Sequence, residues 1–138
     1  PSKPLARVAS GGELARTALG LKTILAASDA TPVVIFDEVD SGIGGRVADV
    51  LGQKLRQVSE DHQVICVTHL APIASYANHH LKIEKVRSGN RSRTEVTPLA
   101  KTARVEEIAR MLGGERVTET TRRHAKELLT TSKARKGG

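Results

Sequence analysis

The chain is 138 residues long, room for about one domain, and its 38% hydrophobic and 27% charged residues describe a folded globular protein rather than a disordered one. One Tyr, one Phe and no Trp leave the core to Val, Ile, Leu and Ala and remove the aromatic platforms on which single-strand binders stack bases, while a lone Cys66 excludes a disulfide framework and a multi-cysteine zinc site. The net charge of +7 lies wholly in the second half, since residues 1–69 carry 7 basic and 8 acidic side chains and residues 70–138 carry 15 and 7, a bias that meets phosphate backbones or acidic surfaces, or is simply a solvated face.

Leu5–Gly12 reads as a loop, and Glu13–Ala27 as a helix whose Leu14, Ala18, Leu21 and Leu25 recur along one stripe. Val33–Phe36, bounded by Pro32 and by Asp37-Glu38, predicts a strand buried on both faces, as in a parallel sheet. The glycine-rich Asp40–Gly45 leads into a helix over Arg46–Ser59, with Val47, Val50, Leu51, Leu55 and Val58 as its apolar face. Gln63–Thr68 predicts a second buried strand ending at His69, which completes a βαβ unit. Beyond His69 the pattern changes. Pro72–Tyr76 fits a short helix with Pro72 in its first turn. His80–Val86 and Arg93–Pro98 read as an antiparallel hairpin about the turn residues Ser88-Gly89-Asn90. Arg104–Leu112 is an amphipathic helix with Val105, Ile108, Ala109 and Leu112 inward, stopped by Gly113-Gly114. Thr118–Thr130 predicts another helix, and Ser132–Gly138 a frayed basic tail.

Several of these segments carry chemistry. Ser10-Gly11-Gly12-Glu13 stands before the first helix, where S-x-x-E is a capping box with Ser10 as N-cap. The same geometry offers an anion site, because two glycines let a ligand approach backbone amides at the positive end of the helix dipole. On the residues alone both readings stay open. Val33–Phe36 delivers Asp37 and Glu38 to the C-terminal edge of a strand, where open α/β sheets bind ligands. An aspartate there suits Mg²⁺, directly or through water, and a neighbouring glutamate can orient or deprotonate a water. An acidic turn after a strand has the same sequence. His69 ends the next strand, and reaches the same edge if the two strands are adjacent and parallel. Lys82, Lys85, Arg87, Arg91 and Arg93 on the hairpin either contact duplex phosphates without reading sequence or guard a solvated edge against pairing. Cys66, inside an apolar strand, reads as a small core residue.

In order and spacing these segments resemble the ABC-type ATPases. Val8-Ala9-Ser10-Gly11-Gly12-Glu13-Leu14 resembles their signature motif, Val33–Glu38 their Walker B strand with its catalytic glutamate, Asp40–Gly45 the D-loop, and Val67-Thr68-His69 the switch-histidine segment. Glu13 and Asp40, where transporters carry Gln and a Pro-Thr segment, point to the SMC-like DNA-repair branch. Within it, Ile35–Ala48, His62–Leu70, Arg104–Gly114 and Thr118–Thr121 resemble the RecN family of bacterial DNA double-strand-break repair ATPases. The resemblance implies an α/β fold, the P-loop NTPase-like C-terminal lobe of an ABC/SMC head. That lobe has a mainly parallel sheet, flanking helices, and a C-terminal β-hairpin plus helices, over residues 1–131 with a flexible basic tail at 132–138. It also implies that Ser10, Gly11, Gly12 and Glu13 meet ATP held by a second head, that Asp37 assists Mg²⁺, that Glu38 is the general base and that His69 contacts the γ-phosphate. Two heads would close on ATP as a homodimer that acts on DNA.

No G-x-x-x-x-G-K-[ST] phosphate loop and no glutamine loop occurs in the chain. The resemblance therefore implies a partner, an N-terminal lobe of the same head carrying that loop, and implies that this chain alone is inactive. Gly44-Gly45 stand where many D-loops have Leu-Asp, so no aspartate role carries over to them. Two further classes stay open: a non-catalytic DNA-binding or dimerisation module, and a transporter-type nucleotide-binding domain. No apolar run approaches the ~18 residues of a membrane span and no signal peptide opens the chain, so the expected setting is cytoplasmic, on the nucleoid, without a membrane. Pro1 in place of an initial Met suggests a fragment or a processed chain.

Overall fold

Three β-branched residues and a phenylalanine, Val33–Phe36, form β1, and Gln63–Cys66 pairs beside it in parallel as β2, with Val33 opposite Gln63 and Phe36 opposite Cys66. The computed structural model describes residue 20 and residues 32–89, 91–114 and 116–134. The loop Leu5–Gly12 and the motif Ser10-Gly11-Gly12-Glu13 lie outside the described residues, as does the expected Glu13–Ala27 helix apart from Gly20, which is helical. The chain divides into two compact units, Pro1–Ile73 and Ala74–Gly138.

In the first unit α1 (Gly45–Val58) connects the two strands and turns Ala48, Leu51, Leu55 and Val58 inward. The sheet residues Val34, Phe36, Val64 and Cys66 pack with it, and Val39, Ile43, Leu70 and Ile73 complete the core. Alternation along the strands sends Val33, Ile35, Ile65 and Val67 to the other face, where they stay 39%, 59%, 45% and 48% exposed. The expectation of strands buried on both faces is thus corrected: among the described residues a single helical layer covers a single side. Val47 and Val50 are also exposed rather than buried, because residues 48, 51, 55 and 58 form the inward stripe and these two lie on its flank. Strand β2 stops two residues before Thr68. The Val67 N–H still bonds the Phe36 carbonyl at 2.9 Å, but the Thr68 hydroxyl turns to Asp40 instead. Gly42 and Gly45 take φ of 69° and 53°, which is why the loop into α1 is glycine-rich.

A short helix, α2 (Ala71–Ser75), carries the chain into the second unit. There β3 (Leu81–Ser88) and β4 (Arg91–Pro98) form an antiparallel hairpin paired from Leu81–Pro98 to Ser88–Arg91. Only two residues link them, with Gly89 at φ 60°, so both strands reach closer to the turn than their apolar content predicts. Helices α3 (Lys101–Gly113) and α4 (Glu119–Ala134) pack together and bury Ile108, Ala109, Ala125 and Leu129. A reciprocal threonine box starts α4. Thr118 Oγ1 accepts the Thr121 N–H at 3.2 Å, and Thr121 Oγ1 accepts the Thr118 N–H at 2.8 Å. The helix runs past Thr130 to Ala134 because Ser132 is buried and its hydroxyl donates to the Ser75 carbonyl at 2.9 Å. Of the expected tail, Ser132–Ala134 is therefore helix. Arg104 Nη2 donates to the carbonyls of Ala74, Ser75 and Ala77 at 3.1, 3.1 and 2.7 Å and so caps the C-terminal end of α2.

Candidate functional site

Because β1 and β2 are parallel and in register, the residues that follow each strand arrive at one edge of the sheet. Asp37 and Glu38 follow β1 and are exposed; Thr68 and His69 follow β2. Glu38 adopts φ 55°, a left-handed conformation that costs a side-chain-bearing residue about 1–2 kcal/mol and is typical of sites where geometry serves function. The turn it opens is closed by the Ser41 N–H on the Glu38 carbonyl at 3.3 Å and by the Ile43 N–H on the Asp40 carbonyl at 3.2 Å.

Asp40 joins the two segments. Its side chain is 5% exposed, its Oδ2 accepts the Thr68 hydroxyl at 2.5 Å and the His69 backbone N–H at 3.0 Å, and His69 Nδ1 lies 3.0 Å from the same oxygen. Thr68 Oγ1 in turn accepts the Leu70 N–H at 3.0 Å. The His69 side chain is 74% exposed, with Nδ1 on the side of the Asp40 carboxylate. A carboxylate only accepts, so this approach favours a proton on Nδ1. In the sequence Asp40 opens the glycine-rich loop and helps mark the SMC-like branch, but no spacing rule links it to a residue 29 positions on. Inside the sheet, the Cys66 thiol is pushed up to about 11, by burial first and then by the carboxylates of Asp40 and Asp37. It stays a protonated, unreactive core residue.

Among the described residues no three His, Cys, Asp or Glu side chains gather to hold a metal ion. Asp37 is one exposed carboxylate at the edge. That donor set fits Mg²⁺, which takes one or two carboxylates and completes its shell with water and phosphate oxygens.

The five hairpin cations do not share a face. Lys82 Nζ lies 2.7 Å from Glu84 and 3.6 Å from Glu107, and Arg93 pairs with Glu95. Register sets Glu84 opposite Glu95, so these two cations offset a pair of like charges on one side of the hairpin. Arg91 is on that side too, exposed beside the turn. Lys85 and Arg87 lie on the opposite side, exposed and with no carboxylate partner among the described residues.

No protein-family model matches the chain. It is 51% identical over 129 residues to the DNA repair protein RecN of Halalkalibacterium halodurans, which covers 94% of this chain and 23% of that protein. To the DNA repair protein RecN of Bacillus subtilis it is 48% identical over 94% of this chain and 22% of that protein. The RecN of Treponema pallidum matches the whole chain at 44% identity, again with 24% of the longer protein covered. The chain thus spans roughly a quarter of the length of these relatives. Among solved structures, one from work on ATP-driven dimerization and DNA-stimulated activation of SMC ATPases superposes with a TM-score of 0.58 at 22% identity, over 70% of this chain and 58% of that one. That likeness is one of fold alone, that of a P-loop NTPase-like lobe.

Proposed function

Given that the chain belongs to the RecN family of DNA repair proteins, we propose that it supplies the C-terminal lobe of a head that binds and hydrolyses ATP in DNA double-strand-break repair. Family membership sets aside the transporter-type alternative. The observation that carries the reading is the shared sheet edge, with Asp37 and Glu38 after one strand and His69 after its parallel neighbour.

In this reading the chain's own residues position and move protons. Glu38, exposed after β1 in a left-handed turn, accepts a proton from the attacking water. His69 Nε2 meets a phosphate oxygen and, once it carries a proton, donates to it. Asp37 would give one ligand to Mg²⁺, whose charge would offset that of the phosphates. Ser10, Gly11, Gly12 and Glu13 meet the nucleotide held by a second head, so ATP joins two copies and hydrolysis lets them part. The phosphate loop comes from an N-terminal lobe of the same head, for which the apolar sheet face of Val33, Ile35, Ile65 and Val67 offers unfilled contact area. On the hairpin, Lys85 and Arg87 contact duplex phosphates, with Arg91 at the turn, while Lys82 and Arg93 serve mainly their carboxylate partners.

Glu38→Gln in the complete protein tests this. The amide keeps shape but is no base, so ATP binding and head pairing persist while hydrolysis falls by about a hundredfold or more. Steady-state turnover close to wild type would refute the role of Glu38.

A further inference from the structure

An exposed imidazole on a loop would ordinarily sample several rotamers and both tautomers, and in water the Nε2–H form is the favoured one. His69 is exposed, yet its Nδ1 lies 3.0 Å from a buried carboxylate. Asp40 Oδ2 takes two donors from consecutive residues, the Thr68 hydroxyl and the His69 backbone N–H, and the His69 ring lies beside it. Thr68 closes the arrangement by accepting the Leu70 N–H, so the segment after β2 cannot shift without breaking several bonds together. The same turn that carries Asp40 also carries Glu38, since Ser41 closes on the Glu38 carbonyl. One short loop therefore sets the place of the carboxylate that would activate water and of the imidazole that would meet the phosphate.

We propose that Asp40 is a positioning residue for hydrolysis: through the Thr68 hydroxyl and the His69 backbone N–H it holds the switch segment in place, with its carboxylate beside ring Nδ1 and Nε2 left to donate to the phosphate. This rests on the ATPase reading given above and assigns Asp40 a role that its place in the D-loop does not carry. Asp40 does not touch nucleotide; it acts through His69, much as a buried aspartate orients the histidine of a hydrolytic triad.

The test is a double-mutant cycle in the complete protein. Asp40→Asn is expected to lower kcat by about tenfold or more with the nucleotide KM within about twofold, because orientation is lost while binding is not. His69→Gln should give a similar loss, and the double variant should be no worse than the poorer single one. An Asp40→Asn enzyme with unchanged kcat overturns the proposal. So does full additivity with His69→Gln, since that would mean Asp40 acts on stability alone. A second readout needs no activity. In the complete protein labelled with ¹⁵N-histidine, the His69 ring, identified by its absence from His69→Gln, should carry a proton on Nδ1, and a ring protonated at Nε2 alone would end the idea. If wild type proves to have no ATPase activity, the functional reading fails while this spectrum still decides what Asp40 does.

Discussion

At Glu38 the backbone and the proposed chemistry pull against each other. A glutamate at φ 55° is strained where glycine would rest easily, and the exposed side chain has little packing to offset that strain. Glycine also loses more entropy on folding, by roughly 0.5–1 kcal/mol, so the net benefit of relieving the turn is smaller than the strain itself. Glu38→Gly in the complete protein should be more stable than Glu38→Ala by about 1 kcal/mol, and both should be inactive. Denaturant midpoints compare the two directly. Equal midpoints would show that the turn after β1 is not left-handed. Nothing in the dipeptide Asp37-Glu38 announces this strain, because acidic residues after a strand occur in relaxed turns as well. Gly42 and Gly45 are different, since a glycine pair in a short loop is itself the signal for positive φ. What the sequence conveys at this scale is which residue types sit at the edge, and what it withholds is the hydrogen bonding that arranges them.

The elements themselves were legible where pattern and punctuation agree. Val33–Phe36 and the parallel strand after α1 stand out as apolar runs bounded by Pro32, glycines and acidic residues. Element ends were less legible when a distant partner decides them. The last turn of α4 persists because Ser132 finds the Ser75 carbonyl 57 residues away. The junction of α3 and α4 shows how tight such a decision can be. A Cβ on Gly113 would lie 2.8 Å from Thr121 Cγ2, and Thr121 cannot swing away without breaking its box with Thr118. Gly113 has no positive φ, so alanine suits its backbone and brings up to ~1 kcal/mol of helix propensity. The clash outweighs this, because overpacking costs about 1–3 kcal/mol. Gly113→Ala should therefore lower stability by roughly 1 kcal/mol, and adding Thr121→Ser, which keeps the hydroxyl but removes Cγ2, should restore it. Thermal melts of the two variants check this; a stabilised Gly113→Ala single variant would mean the helices meet more loosely.

For the whole molecule the decisive quantity is what the first unit leaves uncovered. A purely parallel pair of apolar strands is at home only with a layer on each side, and here Val33, Ile35, Ile65 and Val67 face outward from the side opposite α1. Completing the burial of four half-exposed aliphatic side chains is worth about 1 kcal/mol each, on the order of 4 kcal/mol in all. The sequence contains no phosphate loop to hold the β- and γ-phosphates, so Asp37, Glu38 and His69 edge a site with no anchor for nucleotide. The 138-residue chain alone is expected to show no ATP turnover. Together with an N-terminal lobe bearing the loop, it should gain turnover and a higher melting temperature. Ile35, 59% exposed in the sheet, separates this from a general loss of folding. Ile35→Glu should leave the melting of the chain alone within about 0.5 kcal/mol, as for exposed positions generally. In the pair, the same change buries a charge without a partner and should weaken association at least about tenfold. Turnover by the purified chain without any added lobe would refute the incomplete-head reading. Ile35→Glu that pairs as tightly as wild type would show that the lobe docks on some other face.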